Sequence, residues 1–483
     1  MMKSIQTLLV MKFGGTSVGS PERIRMAADL IAKSAATRPV VVVLSAMSKV
    51  TDLLLDTLKS AEEGREQAVA ENLAALRSRH HEACDELLPP EAREAARQGI
   101  DAIVAGFEKV ARGMLMLGER PPRSVDDAVT AGEKLSVLLC AALLRSRGVA
   151  AEAIHGTELI VTDDQFGDAS PLLEATEERS RGRLFPLLES GLVPVVTGFN
   201  GATHGGVPTT LGRGGSDFSA SILAAVLNAE ELWIWTDVDG ILSADPRVVS
   251  GTRILPEVTY NEAAELAYNG AKVLHPRTLA PLIEKQIPVW IKNSFRPEAP
   301  GTRIVSRIKD GHGVRAITSL GNVALISIEA ASASMSGAQL MARALAAAAR
   351  AHVEVLLLTR SSFRQNFCML VRSEDLDDVM ESLRTELGLE LAHGYVHPID
   401  VDHSVGLLAA VGEGMKGTPG LAGKVFMALS EQKVNIIAIA QGSSELTIAI
   451  VVKEDALDDA VRALHQACRL GDEARTEALV SKT

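Results

Sequence analysis

The first 300 residues alternate between short apolar runs and longer stretches with helical periodicity. The apolar runs are rich in β-branched residues and nearly continuous, which predicts strands buried on both faces of a mainly parallel sheet with helices on either side. The predicted strands are LLVMKF at 8–13, VVVVLSA at 40–46, VPVVTGF at 193–199, LWIWTDV at 232–238 and PVWIKN at 288–293. The predicted helices are 22–34, 52–62, 66–87, 91–117, 130–147, 217–228 and 260–268.

The pattern changes after Gly301, where an internal repeat begins. Each copy has an apolar strand, a glycine-bearing turn, a helix and two further strands, which predicts two small βαββαβ modules. We therefore predict an α/β catalytic domain over 1–305, a linker and first module over 306–400, and a second module over 401–483. The predicted strand near 314–319 could pair with the strands of the second module.

Composition narrows the class of protein. The chain has 483 residues, 47% of them hydrophobic, and a net charge of −12. This charge argues against a nucleic-acid partner. Four widely spaced cysteines suit reduced thiols, and no apolar run is long enough to span a membrane. We expect a soluble, cytoplasmic protein that acts on small molecules, with no membrane partner.

Lys12 lies near the end of the first predicted strand, and Phe13, Gly14 and Gly15 follow it. Adjacent glycines let backbone N–H groups approach a polyphosphate, and the lysine adds a positive charge. The alternative, a plain turn with a surface lysine, carries about equal weight for this motif alone.

A second glycine-rich stretch, TTLGRGGSD at 209–217, opens a predicted helix. Helix N-termini favour anions, and Arg213 between glycines is suited to a bidentate contact with a carboxylate. Ser216 and Asp217 also fit ordinary capping roles. We favour a functional interpretation of Arg213.

Two further stretches carry polar side chains, WTDVDG at 235–240 and GAKVLHP at 270–276. The carboxylates of the first also suit an ordinary turn. Lys272 also suits a solvated helix end, and His275 is better explained as a structural histidine than as a catalytic one. We expect His80 and His81 to lie on a solvated helix face.

Taken together, these motifs resemble the aspartokinases of the amino-acid kinase superfamily along nearly the whole chain. The resemblance implies a three-layer amino-acid-kinase sandwich followed by two ferredoxin-like ACT domains. The matching stretches are KFGGTSV (12–18), VLSAMSKVTDLL (43–54), AGEKLS (131–136), TTLGRGGSD (209–217), WTDVDG with DPR (235–247) and GAKVLHPRT (270–278).

The resemblance implies an ATP- and Mg²⁺-dependent enzyme that converts L-aspartate to β-aspartyl phosphate, the first step towards lysine, threonine, methionine and isoleucine. The implied catalytic residues are Lys12, Asp217 and Lys272. The implied aspartate contacts are Thr51, Glu133, Arg213 and Ser216, with Arg213 on the α-carboxylate and Glu133 on the α-ammonium. The implied nucleotide contacts are Lys12, Gly14, Gly15, Thr236, Asp237, Arg247 and Lys272.

The C-terminal modules imply feedback regulation by an amino acid, threonine or lysine. The resemblance places effector contacts at Gly420, Asn435, Ile439 and Gln441. Two departures from the family pattern stand out: Leu242 replaces a tyrosine near the nucleotide, and Arg360 replaces a glutamine in the first module. ACT modules pair with those of a partner, so a homodimer or larger assembly is expected.

Two other functions fit parts of the sequence. An acetylglutamate or glutamate kinase would share the phosphate loop, but an N-acetylated substrate would leave Glu133 without an ammonium partner. A non-catalytic amino-acid sensor would have no need for Lys12, Arg213, Asp217 and Lys272, all of which are present.

Overall fold

The computed structural model describes residues 7–271, 274–308, 313–331, 336–361 and 366–471. These residues form two compact units. The first unit holds the described residues of 1–241, 256–260 and 273–307, and the second holds those of 242–255, 261–272 and 308–483. Two segments that precede residue 305, namely 242–255 and 261–272, belong to the second unit. The predicted domain boundaries, which divide the chain at residues 305 and 400, remain a prediction.

The strands of the described residues are numbered along the chain. They are β1 Leu9–Phe13, β2 Val40–Leu44, β3 Ala151–Ile154, β4 Val161–Thr162, β5 Val193–Thr197, β6 Asn200–Thr203, β7 Pro208–Thr210, β8 Glu231–Thr236, β9 Glu257–Thr259, β10 Val289–Asn293, β11 Thr302–Val305, β12 Ala316–Ile328, β13 Leu357–Arg360, β14 Phe367–Arg372, β15 Asp400–Val411, β16 Ala438–Gln441 and β17 Thr447–Lys453.

The α-helices of the same residues follow the same numbering. They are α1 Pro21–Ala35, α2 Val50–Glu62, α3 Glu66–Leu87, α4 Pro90–Leu117, α5 Pro122–Val129, α6 Ala131–Ser146, α7 Leu173–Glu189, α8 Gly215–Leu227, α9 Tyr260–Tyr268, α10 Pro276–Lys285, α11 Gly337–Arg350, α12 Leu376–Glu386, α13 Gly388–Ala392, α14 Leu421–Glu431 and α15 Leu457–Ala467.

The first unit is built on an eight-stranded sheet with the order β3-β5-β2-β1-β8-β10-β11-β9. Its strands are parallel from β3 to β10, and only the β10–β11 pair is antiparallel. Every residue of β1, β2 and β5 is buried, as expected for a sheet covered by helices on both faces. The predicted fold class is confirmed.

Helices α1 to α6 pack on one face of this sheet around a single apolar core that includes Met11, Phe13 and Val42. All seven predicted helices are present, each with ends within two residues of the prediction. Three helices of this unit were not predicted: α5, α7 and α10. Helices α7 and α10 contain an internal proline, Pro186 and Pro281 respectively, which argues against a helix when only the sequence is read.

His80 corrects one expectation. Its side chain on α3 is fully buried, and Nδ1 lies 2.7 Å from the carbonyl oxygen of Leu76. Burial lowers the pKa of His80 to about 4, so this histidine is neutral at physiological pH. The prediction of a solvated face is therefore wrong for His80, whereas the neighbouring His81 is partly exposed and pairs with Asp101 at 3.1 Å.

The three tryptophans of the chain lie together on β8 and β10. The ammonium of Lys292 lies 5.1 Å from the ring centre of Trp290, 5.3 Å from that of Trp233 and 5.7 Å from that of Trp235. Such distances are typical of cation–π contacts. Partial burial lowers the pKa of Lys292, which is the expected direction for a desolvated ammonium.

The second unit contains a six-stranded antiparallel sheet with the order β13-β14-β12-β15-β17-β16. Its two central strands are long and pair with each other along most of their length. The later half of β12 pairs with β14, and the later half of β15 pairs with β17. Each long strand therefore contributes to both repeats, and residues 316–320 pair with 407–411 of the second one.

The two repeats are packed in the same way. Helices α11 and α12 cover an apolar core of the first repeat, and α14 and α15 cover that of the second. A further apolar cluster forms on the opposite side of the sheet, where the terminal strands β13 and β16 approach each other. It contains Val323, Leu357, Leu370, Val405, Leu407 and Val451.

Two segments from the first 305 residues are integral to this second unit. The carboxylate of Glu262 on α9 is 1% exposed, accepts a hydrogen bond from Glu413 N at 2.8 Å and pairs with Arg315 at 3.1 Å. In the other segment, Ser243 Oγ lies 3.0 Å from His465 Nε2. Buried polar contacts of this kind fix both segments to the antiparallel sheet. Among the described helices, none has the length and hydrophobicity needed to cross a membrane.

Candidate active site

A cavity of about 330 Å³ opens at the carboxyl ends of β1 and β2 in the first unit. Ligands of open parallel sheets bind at this edge. The cavity brings together six residues that were predicted to act on substrate. Its lining comprises Lys12, Ser45, Thr51, Glu133, Phe199, Gly212, Arg213, Gly214, Gly215, Ser216 and Asp217.

Lys12 supplies a positive charge to this cavity. It is the last residue but one of β1 and is 7% exposed, and its Nζ lies 2.5 Å from Asp217 Oδ1 in the first turn of α8. The next loop passes so close that a Cβ at Gly14 would lie 3.3 Å from Nζ. A glycine at that position lets the backbone approach whatever Lys12 binds.

The loop that carries Arg213 depends on glycines. Gly212 and Gly214 have φ of +71° and +69°, values that favour glycine. A Cβ at Gly214 would lie 2.8 Å from the Cβ of His275, and one at Gly212 would collide with the carboxylate of Asp168. The chain therefore turns sharply into α8, so the exposed Arg213 and the first helical residues, 215–217, line the same cavity.

Glu133 supplies a buried carboxylate on the first turn of α6. It is 2% exposed, and its Oε1 accepts a hydrogen bond from Ala46 N at 3.2 Å. Its Oε2 is buried and has no hydrogen-bond partner in the described part of the chain. Burial raises the pKa of Glu133 to about 8. An incompletely paired carboxylate in a cavity has the chemistry to receive a cationic group, such as an ammonium.

Thr236 and Asp237 lie at the end of β8, which pairs with β1 so that Trp235 is opposite Phe13. Thr236 O accepts hydrogen bonds from Ser294 N at 2.8 Å and Ser294 Oγ at 3.0 Å. The carboxylate of Asp237 is exposed. These residues do not line the 330 Å³ cavity, but the pairing of the strands places them at the same edge of the sheet as Lys12.

Other candidate residues are not gathered at this cavity. Arg247 lies in the second unit, where it is exposed and forms hydrogen bonds with Asp245. Lys272 lies outside the described residues. His275 is the N-terminal cap of α10, and its Nδ1 accepts a hydrogen bond from Arg277 N at 3.4 Å.

The four candidate effector residues lie at exposed positions of the second unit. Ile439 is 41% exposed on β16, and Gly420, Asn435 and Gln441 are also exposed. A cavity of about 250 Å³ in this unit contains the alternate positions Ala440 and Gly442. None of the four candidates lines this cavity. For Ile439 and Gln441 the reason is that successive side chains of a strand point to opposite sides.

Sequence reasoning missed two residues that line the active-site cavity, Ser45 and Phe199. Ser45 directly follows β2, and Phe199 lies two residues after the end of β5, so both are close to the ends of parallel strands. Their position after a buried strand was therefore a usable signal, because the carboxyl ends of parallel strands meet at one edge. Phe199 also has φ of +72°, which the sequence does not indicate.

Comparison with known families identifies two regions of the chain. Residues 7–293 match the model of the amino acid kinase family, and residues 408–468 match an ACT domain model. The first match covers more than half of the chain.

Individual proteins match over almost the whole chain. The bifunctional aspartokinase/homoserine dehydrogenase 1 of Arabidopsis thaliana, a chloroplastic protein, is 34% identical over 94% of this chain but only 50% of its own length. The chain thus spans about half of the length of this relative.

Two crystal structures of Escherichia coli aspartokinase III are similar to the whole described fold. The complex with aspartate and ADP, in the R-state, has a TM-score of 0.83 at 31% identity, covering 95% of this chain and 99% of that one. The complex with lysine and aspartate, in the T-state, has a TM-score of 0.78 at the same identity and coverage.

Proposed function

We propose that this chain, which belongs to the amino acid kinase family, is an aspartate kinase that transfers the γ-phosphoryl group of ATP to the β-carboxylate of L-aspartate. One observation carries the substrate assignment: the buried Glu133 has an unpaired Oε2 in the same cavity as Arg213 and Lys12. The E. coli structure with bound aspartate and ADP supports the same reaction.

The cavity matches a free amino acid rather than an N-acylated one. In the proposal Glu133 binds the α-ammonium, and Arg213 binds the α-carboxylate through a bidentate contact. Thr51 and Ser216, which line the same cavity, add hydrogen bonds to the substrate. An N-acetyl group would bring no charge to Glu133 and would leave its carboxylate uncompensated.

The phosphoryl transfer requires charge screening rather than a base. The attacking β-carboxylate is already ionised, so no proton has to be removed. An oxygen–phosphorus bond forms to the γ-phosphorus while the bond to the β,γ-bridging oxygen breaks and ADP leaves. Lys12 neutralises negative charge between the two anions, and Asp217 holds its ammonium in place. The N-terminus of α8 adds a further favourable dipole.

The nucleotide contacts complete the proposal. Gly14, Gly15, Thr236 and Asp237 lie at the edge of the sheet next to Lys12, and they are proposed to contact the nucleotide. Arg247 and Lys272 are proposed as nucleotide contacts on the family resemblance alone. The described residues contain no group of three His, Cys, Asp or Glu side chains placed to bind a metal. The exposed carboxylate of Asp237 nevertheless fits Mg²⁺ that is held mainly by phosphates, as is usual for this ion. When bound, Mg²⁺ supplies further neutralisation of the phosphates.

Regulation by an amino acid is proposed for the second unit. The ACT match covers 408–468 and includes the predicted effector contacts Gly420, Asn435, Ile439 and Gln441. E. coli aspartokinase III binds lysine, so lysine and threonine are both candidate effectors. We further propose that the chain forms a homodimer or a larger homo-oligomer. We also propose a cytoplasmic location, which is consistent with four free cysteines.

The test is an ATP- and Mg²⁺-dependent assay with hydroxylamine trapping. Aspartate, glutamate and N-acetylglutamate are supplied separately, each with and without lysine or threonine. We expect aspartyl hydroxamate from aspartate only, and inhibition by one of the two effectors. Product from N-acetylglutamate but not from aspartate would contradict the roles of Glu133 and Arg213. No product from any of the three acids would favour a non-catalytic sensor.

A further inference from the structure

Asp126 is a buried carboxylate that lies outside the candidate active-site cavity. It is on α5 and is 2% exposed. Unlike the carboxylate of Glu133, that of Asp126 accepts three hydrogen bonds. Its Oδ2 accepts from Gly167 N and Thr210 N, each at 2.9 Å, and its Oδ1 accepts from Thr210 Oγ1 at 2.8 Å.

The donors come from the two segments that support the Arg213 loop. Thr210 ends β7, three residues before Arg213. Gly167 precedes Asp168, which contacts Gly212 and forms an ion pair with Arg277. The two segments are also joined to each other, because Ala169 N donates to Thr210 O at 2.8 Å. Asp126 therefore holds both sides of the base of this loop.

Asp126 and Glu133 lie on the same stretch of chain. Helix α5 ends at Val129 and α6 begins at Ala131, and the turn between them is fixed by a 2.7 Å bond from Thr130 Oγ1 to Asp127 O. The first carboxylate is directed to the Arg213 loop, and the second to the cavity. The separation of Arg213 and Glu133 is thus set by one rigid segment.

We propose that Asp126 is a positioning residue that fixes the distance between Arg213 and Glu133 and so determines how tightly the cavity binds the zwitterionic end of its substrate. The inference rests on the proposed function, because the proposed function assigns Arg213 to the α-carboxylate and Glu133 to the α-ammonium of the substrate. Asp126 itself does not contact the substrate.

Two of the three partners are backbone N–H groups, which can only donate, and the third is a hydroxyl, which can donate or accept. Asn could therefore keep all three contacts, with its oxygen toward the two N–H groups and its NH₂ group toward Thr210 Oγ1. Asp126→Ala removes both oxygens, so the N–H groups of Gly167 and Thr210 lose their acceptor. The loop then moves relative to α6, and the spacing of Arg213 and Glu133 is lost.

The experiment measures kcat and the KM values for aspartate and ATP in the full-length chain, together with the thermal unfolding midpoint. In Asp126→Ala we expect the KM for aspartate to rise about tenfold or more, equivalent to about 1.4 kcal/mol. The KM for ATP should stay within about twofold, because the nucleotide does not contact the Arg213 loop in the proposal.

Three further variants separate positioning from folding. Thr210→Val removes only the Oγ1 bond and should raise the aspartate KM about threefold, whereas Thr210→Ser keeps the donor and should restore the original value. Asp163→Ala is the matched control, because Asp163 accepts from Gln165 N and Ser170 N in the same loop without reaching β7. It should change neither KM.

The inference is overturned if Asp126→Ala lowers the unfolding midpoint while the aspartate KM is unchanged, or if both KM values rise in parallel. If Asp126→Ala does not fold, the KM for aspartate is measured in Thr210→Val instead, and an unchanged value there counts against the inference. Failure of the proposed function gives a different result, because the unmodified chain would then make no aspartyl hydroxamate. If that chain phosphorylates another acid, the same comparison is made with the KM for that acid.

Discussion

The two units place their candidate residues in contrasting ways. In the first unit, six candidates from four separate stretches of sequence line one cavity at the ends of parallel strands. In the second unit, the four candidate effector residues are all exposed, and they do not line its cavity of about 250 Å³. Among the described candidates, the two charged side chains that are less than a tenth exposed, Lys12 and Glu133, both lie in the first unit.

The difference follows from topology. Parallel strands all end at the same edge of a sheet, so residues that follow them converge even when they are far apart in sequence. In an antiparallel sheet consecutive strand ends lie on opposite edges, and alternate side chains point to opposite faces. A sequence motif on one strand of the second unit therefore does not predict which residues of other strands lie close to it. Four changes test this contrast, in order of decreasing expected effect.

The largest effect is expected for Lys12→Ala. We predict a fall in kcat of about 10²–10³-fold, since it removes a preorganised charge next to the reacting groups. Steady-state kinetics with hydroxylamine trapping measures it. Lys33→Ala, which removes an exposed lysine in the last turn of α1, is the matched control and should leave kcat unchanged. A loss below tenfold for Lys12→Ala would remove Lys12 from its proposed role.

Arg213→Ala should act on substrate binding. We expect the KM for aspartate to rise by about 10–100-fold, because a bidentate contact with the α-carboxylate is lost. Arg213→Lys should recover only part of this affinity, since an ammonium lacks the planar pair of donors. Kinetics at saturating ATP gives both values. An effect confined to the KM for ATP would assign Arg213 to the nucleotide instead.

The pH dependence of aspartate binding tests Glu133. Its pKa of about 8 means that the free enzyme holds a proton there at neutral pH, and the ammonium binds the ionised form. We expect kcat/KM for aspartate to fall by up to about tenfold for each pH unit below 8. In Glu133→Gln this dependence should disappear and the KM should be high throughout.

The same shift affects stability with a defined sign. The folded-state pKa of Glu133 lies above the unfolded value, so its neutral form stabilises the fold below about pH 4.5, and this contribution is lost as pH rises through 8. Glu133→Gln should therefore be relatively more stable than the unmodified chain at pH 9 than at pH 5. A pH-independent difference in the free energy of unfolding would argue against the raised pKa.

The smallest effect on basal activity is expected for Gln441→Ala. It should raise the effector concentration for half-inhibition by several-fold and leave kcat and both KM values within about twofold, because Gln441 lies in the antiparallel unit. Gln432→Ala, at an exposed position after α14, is the control. Unchanged inhibition by both lysine and threonine would remove Gln441 from the effector site.

The sequence predicted the architecture of the first unit because its buried strands are continuous apolar runs. The gathering of Lys12, Glu133, Arg213 and Asp217 was implied by a family resemblance, and the cavity agrees with it. The positions that escaped prediction depend on distant partners. Asp126 looks like an ordinary helical aspartate until its donors Gly167 and Thr210 are known.

The second unit was harder to predict for a related reason. The repeat in the sequence indicated two modules, but periodicity within one repeat does not show that β12 and β15 are each shared by both. The sequence also did not indicate that segments 242–255 and 261–272 belong to this unit. Their attachment depends on paired groups that are far apart in sequence, such as Glu262 with Arg315 and Ser243 with His465.

The cluster of tryptophans around Lys292 means that the intrinsic tryptophan fluorescence of the protein reports on only one of its two units. All three tryptophans belong to the first unit, and Trp235 directly precedes Thr236. Excitation near 295 nm is therefore absorbed almost entirely in that unit, and the antiparallel unit contributes no tryptophan emission of its own. If tryptophan emission changes when lysine or threonine is added, the environment of the tryptophans on the parallel sheet has changed. Such a measurement would detect the effect of an effector on the first unit without any catalytic turnover.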